Sequence, residues 1–142
     1  MDETRRKRYL QKLELIDIRV GNISSWTEGL LPEEFSSDDK TRLATFKALQ
    51  EAIEACMDIC AMLVKDLGFC TSDDYSNVEK LTSKGMFTPE VGDFLRRANG
   101  LRNRLIHEYN RISDDLVLKF VRSELGRFGE FSEAVSEWMR RK

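Results

Sequence analysis

The sequence predicts an all-α fold, an up-and-down bundle of four main helices with an additional short helix. Apolar residues recur three and four residues apart through each long segment, which is the helical period. No segment alternates apolar and polar residues with the period of two that a half-buried strand requires. The length suits one domain, and we expect residues 1–142 to form it around a core drawn from the 41% of hydrophobic residues.

Apolar stripes, and the breaks that follow them, define the first two long helices. The first helix is predicted from Glu3 to about Ser24, because Gly29 and Pro32 oppose its continuation. The second is predicted to start at the capping run 36–39 and to end at Gly68. The first stripe contains Tyr9, Leu13, Ile16, Val20 and Ile23. The second contains Phe46, Leu49, Ile53, Cys56, Cys60, Leu63 and Leu67.

Capping signals define the remaining helices. The short helix is predicted to start at residues 72–74 and to end at Gly85. Thr88 as the N-cap and Pro89 at the first helical position start a fourth helix, predicted to run to about Arg111. Its inward positions are Val91, Phe94, Leu95, Ala98, Leu101 and Leu105. The last helix carries Leu116, Phe120, Val121, Leu125, Phe128, Phe131, Val135 and Trp138.

The distribution of charge predicts that a polyanion could bind only at a local basic patch. The formal net charge of -2 gives no global field that would draw the protein onto nucleic acid. Residues 96–127, however, contain eight basic and four acidic residues, a balance of +4. Residues 28–90 contain thirteen acidic and six basic residues, a balance of -7. This asymmetry suits a face that attracts phosphates, and it is also typical of ordinary solvated helix faces.

The cysteine positions argue against a metal site, and the hydropathy argues against a membrane protein. Cys56 and Cys60 lie four residues apart on an apolar helix face, so we expect them to be buried packing residues rather than metal ligands. The third cysteine, Cys70, has no histidine near it in the sequence. With no signal peptide and no apolar run of about 18 residues, we expect a soluble, cytoplasmic protein without a membrane segment.

The stretch from Arg102 to Tyr109 contains the only histidine of the chain, His107, with arginines, an amide and a phenol around it. On an ideal helix at about 100° per residue, with Arg102 at zero, Asn103 falls at about 100°, His107 at about 140° and Tyr109 at about -20°. One arc of the fourth helix would then carry all four polar groups. Asn103 and His107 are four residues apart, so the amide is placed to orient the imidazole.

These residue types suit cleavage of a phosphodiester that has a ribose hydroxyl beside it. Histidine moves a proton, and arginine binds the phosphate and stabilises the charge that develops on its oxygens. The 2′-hydroxyl would be the nucleophile, which points to RNA as the substrate. Such a reaction needs both an acid and a base, and the chain has one histidine. The second proton-transfer group must therefore be another residue type or come from a second copy of the chain, and we expect a homodimer in which two copies form a composite cleft.

The same residues carry a family resemblance. The sequence resembles the HEPN superfamily, and within it the HepT-like toxins of HEPN–MNT (type VII) toxin–antitoxin pairs, whose motif is Arg-x-x-x-x-His-x-Tyr. Here the motif residues are Arg102, His107 and Tyr109, with Asn103 after the arginine. The segments 46–55, 81–85 and 110–113 add to the likeness, which covers most of the chain.

The resemblance implies a helical dimer that acts as a metal-independent ribonuclease without a cofactor. Arg102 and His107 would be catalytic, with Asn103 and Arg104 supporting them. It also implies a partner, an MNT-type nucleotidyltransferase antitoxin that transfers AMP from ATP onto Tyr109. Phosphates there would place negative charge where RNA phosphate binds, and would so neutralise the toxin.

Two other readings of this stretch remain open on sequence alone. The chain is also consistent with a non-enzymatic helical module that binds a nucleotide or a nucleotidyltransferase. It is equally consistent with a structural dimer domain in which Arg102 and Arg104 pair with Glu108 or with acids of the preceding loop. A single histidine on a helix is more often structural than catalytic, so the spacing does not decide between these readings.

Overall fold

Seven helices make up the fold in the computed structural model, which describes residues 1–142. The helices are α1 (Glu3–Thr27), α2 (Pro32–Ser37), α3 (Asp39–Asp66), α4 (Asp74–Ser83), α5 (Pro89–His107), α6 (Asp114–Glu124) and α7 (Arg127–Arg140). The predicted all-α fold is confirmed. None of the helices is both long and apolar enough to cross a membrane.

Helix α3 lies at the centre of the molecule and packs against α1, α2, α4 and α5. Half of its 28 residues are buried, including both Cys56 and Cys60. The prediction that these cysteines pack in the core is confirmed, and burial raises the pKa of both thiols. Cys70, outside the helix, is exposed. One continuous cluster of buried apolar side chains therefore extends outward from α3 to every other helix.

A cluster of polar side chains joins one end of α3 to α1, and an aromatic ring from α7 packs against this cluster. The Tyr9 hydroxyl donates a hydrogen bond to the carboxylate of Asp66 at 2.7 Å, and Arg5 Nε donates to the same oxygen at 3.0 Å. The ring of Tyr9 packs edge-on against Trp138, with 5.6 Å between ring centroids. Burial and the hydrogen bond to Asp66 raise the pKa of the Tyr9 phenol.

The connection after the first helix contains α2, a short helix that the sequence reading assigned to loop. Pro32 occupies the first helical position, and Glu34 accepts a hydrogen bond from the backbone N–H of Leu31. Phe35 is fully buried, which explains why this segment folds back onto α3 and α6. Arg122 of α6 holds the connection in place by donating to the carbonyl of Thr27 at 2.8 Å and to that of Leu30 at 2.9 Å.

The predicted last helix is divided into α6 and α7 around Gly126. Two backbone hydrogen bonds of the 3₁₀ type span the break, from Phe128 N to Leu125 O and from Gly129 N to Gly126 O. The change of direction buries Phe128 and Phe131 against residues of α5 and the loop before it, namely Phe94 and Phe87. Apolar spacing continued through the break, so the period alone did not reveal it.

Helices α4 and α5 approach each other closely at Gly92. A Cβ at Gly92 would lie 2.5 Å from Thr82 Oγ1 and 2.9 Å from Thr82 Cγ2. Thr82 cannot easily turn away, because its hydroxyl donates to the carbonyl of Val78 at 2.8 Å. At Gly100 the nearest atom, Tyr75 Oη, would be 3.4 Å away. The lack of a side chain at Gly92 therefore allows α5 to pack this closely against α4.

We expect Gly92→Ala to lower the free energy of unfolding by about 1–3 kcal/mol, because the new methyl group overlaps Thr82. The measurement is urea denaturation followed by circular dichroism. The matched control is Gly21→Ala in the exposed middle of α1, where no atom lies within 4 Å of the added Cβ. Gly21→Ala should stabilise by about 0.5–1 kcal/mol. Equal effects of the two substitutions would contradict the close approach at Gly92.

Candidate functional site

Helix α5 carries the predicted site at its C-terminal end. The helix starts as the sequence predicts, with the Thr88 side chain accepting from Val91 N and Pro89 in the first turn. All six predicted inward positions are buried, and they seat the helix against the core: Val91, Phe94, Leu95, Ala98, Leu101 and Leu105. Arg102 lies beside Glu54 of α3, and Asp114, just after α5, lies beside Arg42 near the start of α3. The two helices therefore run in opposite directions.

Arg102 lies in the wedge between α3 and α4. Its Nε is 3.6 Å from Glu54 Oε1 of α3, and its Nη1 is 3.8 Å from Asp74 Oδ2 of α4. Nη1 also donates a hydrogen bond to Asn103 Oδ1 at 3.1 Å, while Nε is buried and has no hydrogen-bond partner. The guanidinium is thus held on three sides, and about a quarter of the side chain (26%) stays open to solvent.

Asn103 and His107 are not paired as the sequence reading expected. The amide oxygen of Asn103 accepts from Arg102 instead. His107 is the last residue of α5, and its imidazole is exposed without a hydrogen-bond or ionic partner in the chain. The structure therefore fixes Arg102 through Asn103 and leaves the imidazole free to meet a ligand.

Arg104 lies on a different face of α5 from Arg102. It lines an open groove of about 390 Å³ between α5 and α6, together with Arg97 and Lys119. Its Nε is 4.0 Å from Glu108 Oε2, as one of the structural readings anticipated. Arg104 is therefore not brought together with Arg102, Glu54 and Asp74.

The predicted end of α5 at about Arg111 is wrong, and so is the placing of Tyr109 on the helix above Arg102. Glu108 leaves the helical region with φ -134° and ψ 25°. Its carbonyl accepts from Arg111 N and Ile112 N, both at 2.8 Å, which closes a turn over residues 108–112. Because Ile112 is buried, the chain bends back to the core, and Tyr109 projects from the tip of the turn, 54% exposed.

Sequence reasoning missed the two carboxylates beside Arg102. No role was assigned to Glu54 from the sequence, and Asp74 was assigned only to the capping run 72–74 at the start of the short helix. Gln50 Nε2 donates to Glu54 Oε1 at 3.0 Å and orients that carboxylate. The two acids are distant from Arg102 in the sequence, and a period within one helix carries no signal for contacts between helices.

The chemistry that these groups offer is polar and acid–base in kind. No group of three or more His, Cys, Asp or Glu side chains is arranged to hold a metal ion. Arg102 and the exposed imidazole of His107 lie within two turns at the end of α5, and two partly exposed carboxylates, from α3 and α4, lie beside Arg102. Such a set can bind an anion at the guanidinium and transfer protons on either side of it.

Comparison with known proteins assigns the fold and the site to a family. The model of the family described as "Ribonuclease HepT-like" matches residues 13–135, most of the chain and all of the Arg102–Tyr109 motif. This chain belongs to the ribonuclease HepT-like family. The HepT-like motif therefore spans the end of α5 and the turn that follows it.

Relatives and a solved structure are similar over nearly the whole HepT-like chain. A predicted RNase of Archaeoglobus fulgidus is 41% identical over 133 residues, which cover 94% of this chain and 94% of the relative. The tRNA nuclease HepT of Aphanizomenon flos-aquae is 25% identical over 131 residues, covering 90% and 87%. A solved structure of a tri-AMPylated Shewanella oneidensis HEPN toxin in complex with its MNT antitoxin superposes with a TM-score of 0.85. It is 21% identical and covers 96% of this chain and 99% of that one.

Proposed function

We propose that this HepT-like protein is an RNA endonuclease that cleaves without a metal ion, using the ribose 2′-hydroxyl as the nucleophile. The observation that carries the proposal is the pairing of a held arginine, Arg102, with a free and exposed imidazole, His107, one and a half turns later on the same helix. Membership of the ribonuclease HepT-like family supports it, as do relatives named as RNases.

The proposed roles follow from what each side chain offers. Arg102 binds the scissile phosphate and stabilises the charge that grows on its oxygens. Asn103 supports it by accepting from Nη1, which leaves the other guanidinium N–H groups for the phosphate. His107 transfers a proton at the reacting oxygen. Arg104, on a different face of α5 from Arg102, supports binding by holding RNA phosphates outside the reacting bond.

We propose that the active form is a homodimer with a composite cleft. One protomer offers a single imidazole, and its arginine is already flanked by the carboxylates of Glu54 and Asp74. A second copy would bring another Arg102 and another His107 to the same phosphate. Ile106, a partly exposed apolar side chain beside His107, provides surface that such a contact would bury.

We propose that an MNT-type nucleotidyltransferase antitoxin neutralises this toxin by transferring AMP from ATP onto Tyr109. The phenol is exposed at the tip of a closed turn, where an enzyme can reach it. The solved structure with a similar fold is that of a tri-AMPylated HEPN toxin in complex with an MNT antitoxin. Each added phosphodiester would carry negative charge two residues from His107 and would repel RNA phosphate.

Arg102→Ala and His107→Ala should each lower the rate of RNA cleavage by about 10²–10⁴-fold, because phosphate binding or proton transfer is lost. The measurement is cleavage of total RNA and of a labelled oligonucleotide by purified protein in excess EDTA. Arg96→Ala is the matched control, since Arg96 lies on the same helix but pairs with Glu79 of α4 at 2.9 Å. It should leave the rate within a few-fold of the wild type.

Circular dichroism and thermal melting establish that the three variants are folded. Wild-type activity in folded His107→Ala would overturn the proposal. Tight binding of a nucleotidyltransferase with no cleavage at any protein concentration would favour the non-enzymatic module instead.

Tyr109→Phe should abolish AMP addition when the protein is coexpressed with the nucleotidyltransferase antitoxin, because the accepting hydroxyl is missing. Intact mass spectrometry measures the adduct, and peptide mapping locates it. Tyr75→Phe is the matched control, since Tyr75 is the other exposed tyrosine, 43% exposed on α4. It should be modified like the wild type. An adduct that persists in Tyr109→Phe would contradict the assignment of the modified residue.

A further inference from the structure

We infer that Glu54 is the general base of the proposed cleavage, accepting the proton of the ribose 2′-hydroxyl while His107 protonates the leaving oxygen. The inference rests on the proposed function and supplies the proton-transfer group that a single histidine leaves unassigned. It follows from the position of a carboxylate on α3 directly beside the guanidinium that would hold the phosphate.

The geometry around Glu54 suits a base. Its Oε1 lies 3.6 Å from Arg102 Nε and accepts from Gln50 Nε2 at 3.0 Å, so one oxygen is fixed from two sides. The second oxygen, Oε2, has no hydrogen-bond partner in the chain, and the side chain is 37% exposed. A phosphate bound to Arg102 would therefore place its neighbouring 2′-hydroxyl within reach of an oriented and unoccupied oxygen.

Glu54 and His107 reach the site from different elements. Arg102 and His107 are five residues apart, a rise of about 7.5 Å along α5 and a rotation of about 140° around it. Glu54 lies beside Arg102, and the imidazole lies at the helix end. The two groups would therefore act at different oxygens of a phosphate that is bound at Arg102 or shared with the second copy.

Asp74 is the other carboxylate at Arg102, and it suits the role less well. It is in the first turn of α4, where its charge compensates the positive end of the helix dipole. No side-chain hydrogen bond fixes its orientation, and it lies farther from the guanidinium, at 3.8 Å. Its place at Arg102 is that of a counter-ion.

The step balances in protons and electrons. Glu54 takes the 2′-hydroxyl proton, the 2′-oxygen forms a bond to phosphorus, and the bond from phosphorus to the 5′-oxygen breaks. The protonated imidazole of His107 gives its proton to that 5′-oxygen. The products are a 2′,3′-cyclic phosphate and a 5′-hydroxyl, and proton exchange with water restores both side chains.

The test is the dependence of kcat on pH for the wild type, Glu54→Gln and Glu54→Asp. The wild type should give a bell-shaped profile, with an acidic limb that reports the general base and a basic limb that reports the general acid. Glu54→Gln should lower kcat by about 10²–10⁴-fold and remove the acidic limb, with KM changed little. Glu54→Asp, which keeps the carboxylate, should restore part of the rate together with the acidic limb.

Two matched controls separate catalysis from structure. Glu51→Gln removes a carboxylate three residues away on α3 that pairs with Arg19 of α1. Asp74→Asn removes the other carboxylate at Arg102. Both should retain the acidic limb.

An acidic limb that persists in Glu54→Gln, or a loss confined to KM, would overturn the assignment and leave Glu54 as a positioning residue. Loss of the acidic limb in Asp74→Asn alone would overturn it as well. Failure of the wild type to cleave RNA would instead overturn the proposed function, and this assignment with it.

Discussion

The burial of α3 on most of its circumference is the constraint on which the rest of the structure depends. Helices α1, α2, α4 and α5 all pack directly on it, so the position of each is set by one apolar surface. Helix α5 is held there by its apolar face and by the close contact of Gly92 with α4. Its C-terminal end extends beyond α4, and the polar side chains at that end reach solvent on a rigid support. Rigid elements hold reacting groups more accurately than loops do.

The charges around Arg102 bear on the proposed homodimer. Arg102 contributes one positive charge, whereas Glu54 and Asp74 contribute two negative ones within 4 Å of it. A phosphate approaching a single protomer would therefore meet a locally unfavourable balance. In the proposed dimer, a second Arg102 brought to the same phosphate would add a further positive charge there, and the carboxylates would aim the guanidinium and accept a proton. The same sensitivity to charge accounts for how AMP on the adjoining turn would inactivate the site.

Much of this arrangement can be read from the sequence, and the failures have physical causes. Apolar spacing located the main helices and six of the eight buried residues of α5, because burial of one face imposes the helical period. The period did not show where α5 ends, since Ile112 continues an apolar pattern while the backbone turns at Glu108. Tyr109 was consequently placed on the helix. The break at Gly126 was missed for the same reason.

The sequence revealed only part of the candidate site. Arg102, Asn103, His107 and Tyr109 form a local motif that one segment displays. Glu54 approaches Arg102 because α3 and α5 pack against each other, and Gln50 orients it there, which is a property of the folded chain. The motif carried the resemblance to HepT-like proteins, and the family match confirmed that resemblance. Neither pointed to a proton acceptor on α3.

Cleavage through the ribose hydroxyl is the central claim, and the most direct measurement compares two RNA oligonucleotides that differ only by one 2′-deoxy substitution at the mapped cleavage position. The purified protein should cut the unmodified strand to give a 2′,3′-cyclic phosphate and a 5′-hydroxyl, and should leave the substituted position intact. Cleavage at the deoxy position, or products with a 5′-phosphate and a 3′-hydroxyl, would contradict the role given to the residues at the end of α5.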